Sequence, residues 1–148
     1  MISISAHDPK PNAFSGAKLL LFVGPDLVVM LRDDRPDIPF PGCWDLPGGG
    51  REGQESPVAC VLRETREEVD LSLGADDLVW GREFAGTVDA TWMFAAHPPE
   101  TSANILTLGH EGQALRLMAP SEYLTHPKHV PHFAARLQLY LAEAESFS

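Results

Sequence analysis

Three glutamates, Glu64, Glu67 and Glu68, stand at i, i+3 and i+4 in the stretch Pro57-Val58-Ala59-Cys60-Val61-Leu62-Arg63-Glu64-Thr65-Arg66-Glu67-Glu68-Val69. On a helix those spacings share one face. Like charges so close repel, and a helix selected for stability alone would avoid them. A divalent cation removes the repulsion, and hard carboxylate oxygens are the ligands that Mg²⁺ or Mn²⁺ prefers. The bland alternative is a solvated acidic face, the usual meaning of a charge run. Against it, the run lies at a fixed offset behind Glu55 and the turn Gly48-Gly49-Gly50.

A helix has to hold these acids, and the sequence marks one over roughly 56–69. Ser56 suits the N-cap. Pro57 suits the first helical position, where its missing N–H has no partner to lose. Val58, Val61, Leu62, Thr65 and Val69 recur at helical period and form the face that packs on a core. Arg63 precedes Glu67 by four residues and can pair with it, fixing the carboxylate's direction more than adding stability.

The segment resembles the Nudix box, G-x5-E-x7-R-E-U-x-E-E-x-G-U with U a bulky apolar residue, and so the MutT-like hydrolases. Gly49, Glu55, Arg63-Glu64, Glu67-Glu68 and Leu71 fill the pattern. The lead-in Trp44-Asp45-Leu46-Pro47-Gly48-Gly49 is also similar to the family's. Thr65 departs from it where an apolar residue is usual, and Asp70 stands where glycine is. Asp tolerates the left-handed conformation a helix end requires better than most residues do.

The resemblance implies a mixed β-sheet sandwiched between α-helices. It also implies a hydrolase that splits a phosphoanhydride bond in a nucleoside diphosphate derivative, such as a nucleoside triphosphate or a nucleotide sugar. By the same resemblance Glu67 and Glu68 are the primary metal ligands, with the Gly48 carbonyl. Glu64 is either a ligand to a second ion or the base for the attacking water. Glu55 holds a metal-bound water or braces Arg63, and Gly49 supports the turn. Glu111, between Gly109 and Gly112, matches a further acid that many relatives carry as ligand or base; an exposed loop acid is the even alternative. The catalytic set is thus Glu64, Glu111 and Arg63, and Mg²⁺ or Mn²⁺ is the expected cofactor. The competing reading is a Nudix-fold nucleotide-binding module without catalysis. The complete set of Arg63, Glu64, Glu67 and Glu68 argues against it.

Arg32 and Arg82 are candidate phosphate contacts, and Trp44, Phe40 and Trp92 are candidates to stack on a base. Aromatics at such positions are more often core. His126, His129 and His132 suggest a metal cluster, but Pro127 and Pro131 interrupt a helical face, and a surface loop is the simpler reading.

The chain has 148 residues, enough for one core, and one domain is expected over 1–148 with residues 1–15 as a flexible arm. A net charge of −10 disfavours a nucleic-acid binder that works by neutralising phosphates. An acidic small molecule stays compatible, because bound metal reverses the local charge. The Leu19–Val23 run is too short to span a bilayer. No basic segment precedes an apolar run at the N-terminus, so no secretory signal is apparent. Cys43 and Cys60 make no disulfide framework, and a cytoplasmic location with reduced thiols is expected. Nothing in the sequence decides between a monomer and a homodimer.

Strands are expected at 17–23 and 27–32 as a hairpin through Gly24-Pro25-Asp26, then at 78–84, 91–96 and 114–118. Loops fall at 33–42 and 98–103. A short helix at 120–124 and a final amphipathic one at 130–145 complete the chain, the latter packing through Phe133, Leu137, Tyr140 and Leu141.

Overall fold

The computed structural model describes residues 14–86, 89–107 and 113–146. The arm expected at 1–15 falls almost wholly outside them, but Phe14 and Ser15 already belong to the first strand, and Phe14 is buried. Glu111 and its neighbours also lie outside the described residues.

Strand β1 (Phe14–Val23) turns back into β2 (Asp26–Leu31), as the hairpin reading anticipates. Two short strands follow, β3 (Trp44–Asp45) and β4 (Gly48–Gly50), and then helix α1 (Pro57–Val69). After α1 come β5 (Leu78–Phe84), β6 (Ala90–Ala96), β7 (Ala114–Met118), α2 (Pro120–Thr125) and α3 (Pro131–Ser146). A 3₁₀ turn at Glu100–Asn104 replaces part of the loop expected at 98–103.

The seven strands make one mixed sheet in the order β3-β2-β1-β6-β5, with β4 paired to β1 and β7 paired to β2. β1 runs parallel to β6 and antiparallel to β2 and β4. Strand alternation sends Leu19, Leu21 and Val23 to one face, where they pack with Val58, Val61 and Val69 of α1. Leu20 and Phe22 go to the other face, with Tyr123 of α2 and Phe133, Leu137 and Tyr140 of α3. The result is a mixed sheet between helices. Among the described residues no helix is long and apolar enough to cross a membrane.

α1 forms as its sequence dictates. The Ser56 hydroxyl accepts the Ala59 N–H at 3.1 Å, and Pro57 opens the first turn. Asp70 ends the helix in the left-handed conformation, φ 58°, and its N–H reaches the Arg66 carbonyl. Thr65 occupies the inner face at 0% exposure, and its hydroxyl has no hydrogen-bond partner there. Burying an unpaired hydroxyl costs free energy that a methyl group does not. Thr65→Val is therefore expected to stabilise the protein by about 1 kcal/mol, raising Tm by roughly 2–4 °C. A lower Tm in a thermal melt would show that the hydroxyl is bonded in solution.

Candidate active site

A cleft of about 610 Å³ opens beside α1. It is lined by Glu64 and Glu68 of α1, the Gly48–Gly50 strand, and the cations Lys18, Arg32 and Arg35 with Asp33 and Asp45.

The glycines bring helix and strand together. Gly48 has φ 133°, which L side chains rarely adopt, and a Cβ there would lie 2.2 Å from the Ala17 carbonyl oxygen. At Gly49 a Cβ would fall 2.5 Å from the Glu64 carboxylate, so the bare backbone is what lets that acid lie on the turn.

Arg63 organises the acids. Its Nε donates to Glu55 Oε2 at 2.6 Å and its Nη2 donates to Glu55 Oε1 at 3.0 Å and to the Gly50 carbonyl at 2.9 Å. Its Nη1 donates to Glu64 at 2.8 Å and to Glu67 at 3.1 Å and lies 3.2 Å from Glu52. The guanidinium holds the Glu55 carboxyl below the usual carboxylate range. Glu55 thus holds Arg63 through both of its carboxylate oxygens.

The three helix acids divide. Carboxylate oxygens of Glu52, Glu64 and Glu67 all lie within 4.8 Å of one another. Glu68 stands apart from that group, on the strand side, where its Oε1 accepts the Gly48 N–H at 2.6 Å. Burial is the largest influence on Glu68. Against the opposing Lys18 ammonium and the Gly48 N–H, it pushes the carboxyl up to about 7. In metal-free protein the native state therefore keeps a proton that the unfolded chain releases near 4.5. Its stabilising contribution is complete below the unfolded value and is lost as pH rises through about 7. Glu68→Gln carries no such charge. In chelator its Tm is expected to climb relative to wild type as pH goes from about 5 to about 8. A difference flat across that range would refute the buried charge.

The remaining candidates divide between the cleft and other parts of the fold. Arg32 lines the cleft, with Nη1 donating to Asp45 Oδ2 at 2.7 Å. Trp44 precedes Asp45 in β3 and packs instead in the second core cluster, edge-on to His126 and beneath Arg116. Arg82 pairs with Glu143 of α3, and Trp92 stacks on Phe94. Phe40 sits against His132 with a left-handed φ of 50°. His126 accepts the Lys128 N–H and His129 lies 3.0 Å from the Tyr123 carbonyl, so both serve the turn before α3. The candidate metal group found among the described residues contains no histidine.

Sequence reasoning missed Lys18, Asp45 and Glu52. A lone lysine inside the apolar run from Ala17 to Val23 was the available signal for the first. Glu52 lies in a loop, where no periodicity points to α1.

A family model, the NUDIX domain, matches residues 15–138. The chain belongs to the Nudix family. Its relatives include a Mycobacterium tuberculosis protein provisionally named 8-oxo-dGTP diphosphatase 3, 34% identical over 101 residues, covering 66% of this chain and 46% of that protein. The RNA pyrophosphohydrolase of Acidiphilium cryptum is 34% identical over 104 residues, covering 70% of this chain and 56% of the relative. The Nudix chain thus spans about half the length of these two relatives. The MutT protein of Methanosarcina mazei Go1 shares the fold, with TM-score 0.69 at 19% identity over 87% of this chain and 93% of that one.

Proposed function

We propose that the chain is a divalent-metal-dependent hydrolase that cleaves the phosphoanhydride bond of a nucleoside diphosphate derivative. One observation carries this: the carboxylates of Glu64 and Glu68 and the cations Lys18, Arg32 and Arg35 line the same cleft. Glu64, Glu67 and Glu68 with the Gly48 carbonyl offer only hard oxygen donors, and the close approach of Glu64 and Glu67 to Glu52 leaves a negative charge that Arg63 alone cannot balance. That donor set fits Mg²⁺ or Mn²⁺. When bound, such an ion neutralises phosphate oxygens and lowers the pKa of water.

The chain's own residues do the rest. Arg63 fixes the directions of Glu64 and Glu67. Glu64, which lies over the Gly49 backbone, is proposed to ligate a second ion or to accept a proton from an attacking water. Arg32, in the same cleft, is proposed to offer charge to the phosphates. Glu111 is proposed to complete the acid set from its glycine-flanked loop. Two of the relatives named above carry the names of a diphosphatase, provisionally of 8-oxo-dGTP, and of an RNA pyrophosphohydrolase, which favours a phosphoanhydride bond here. A binding module without catalysis would have no need of the intact set of Arg63, Glu64, Glu67 and Glu68.

The test is a panel of nucleoside triphosphates, oxidised triphosphates, nucleotide sugars and 5′-triphosphorylated RNA with Mg²⁺. Released phosphate, pyrophosphate and monophosphate are scored. Mg²⁺-dependent cleavage of at least one member is expected. No cleavage of any member, with tight nucleotide binding retained, would favour the binding module.

A further inference from the structure

The Lys18 ammonium makes the same kind of bond three times. It donates to the Asp45 carboxylate at 3.2 Å, to the Leu46 carbonyl at 3.2 Å and to the Gly48 carbonyl at 3.1 Å. An ammonium has three N–H donors, so all are in use. Asp45 is 4% exposed and equally committed: Oδ1 accepts the Leu46 N–H at 2.7 Å, and Oδ2 accepts Arg32 Nη1. The Gly48 N–H in turn is held by Glu68. Both polar groups of Gly48 are therefore fixed by side chains, one reaching across from β1 and one from α1.

We propose that Lys18 and Asp45 are positioning residues that set the Gly48 carbonyl, and with it Glu68, for divalent metal. The inference rests on the metal-dependent reading of this cleft. A lysine that served as a mobile phosphate contact would leave donors free. This one spends them all on the turn from Asp45 to Gly48. Partners that orient metal ligands in this way typically contribute 10–100-fold to affinity.

The test is Mn²⁺ binding to the full chain, followed by the electron paramagnetic resonance signal of free Mn²⁺ at fixed pH, with no substrate present. Lys18→Met removes a positive charge from the cleft wall, and Asp45→Asn removes a negative one. If the two residues acted only through their field, Lys18→Met would tighten Mn²⁺ binding and Asp45→Asn would weaken it. Positioning predicts that both weaken it, by about tenfold or more. Lys18→Gln, equally neutral, is expected to match Lys18→Met and replaces it if the methionine variant does not fold by circular dichroism. Shifts of opposite sign, or affinities equal to wild type in folded variants, overturn the inference and leave the metal reading standing. A wild type that binds no Mn²⁺ overturns the metal reading, and this inference with it.

Discussion

Gly48→Ala is expected to destroy the fold, whereas Gly49→Ala, one residue on, is expected to spare the fold and damage the site. At Gly48 the obstacle is backbone. A Cβ would meet the Ala17 oxygen at 2.2 Å and the Lys18 Cα at 2.6 Å, and neither can withdraw without breaking the β1–β4 pairing. The φ of 133° adds strain of its own, about 1–3 kcal/mol for a residue other than glycine. Together these exceed roughly 4–5 kcal/mol, a third or more of the roughly 5–15 kcal/mol by which ordinary domains are stable. At Gly49 the obstacle is the far end of the Glu64 side chain, 2.5 Å away, which can rotate aside. Circular dichroism and thermal melting of both variants check the contrast. A cooperative, near-wild-type melt for Gly48→Ala would mean that the turn is not held as described.

Helix α1 was legible because each of its determinants is local. The cap at Ser56, Pro57, the apolar period and the αL end at Asp70 lie within a few turns of chain, and the structure repeats them. The hairpin and the inner face of α3 were legible for the same reason. What was not legible depends on distance in sequence. β3 and β4, two and three residues long, carry no periodicity and exist only through pairing with β2 and β1. Lys18 and Asp45 are 27 residues apart, and nothing in either neighbourhood announces the other.

The i, i+3, i+4 pattern also hid a division. Consecutive helix residues diverge by about 100° around the axis, so Glu67 and Glu68 flank Glu64 on opposite sides. Glu67 leans toward solvent and Glu52, and Glu68 toward Gly48. Spacing placed three acids on one face; only the neighbours of that face show that they have two environments.

Those two environments give the neutralised acids different consequences. Glu67 has a half-exposed side chain and meets Arg63 at 3.1 Å, so Glu67→Gln disturbs little of the fold. In chelator its Tm is expected to equal or exceed that of wild type, because one of several crowded like charges is gone. Turnover with Mg²⁺ is expected to fall by roughly 100-fold or more, since a metal ion contributes several kcal/mol to stabilising charge at a phosphoryl group and each 1.36 kcal/mol is tenfold in rate. Glu68→Gln is expected to lose at least as much turnover. Its retained side-chain oxygen can still accept the Gly48 N–H, so the loss reflects charge and not a collapsed turn. Excess chelator should silence wild type as fully as either substitution. Turnover is measured against Mg²⁺ concentration for all three proteins alongside their melts. Wild-type rates in both variants, or undiminished hydrolysis in chelator, would remove the acids of α1 from the chemistry.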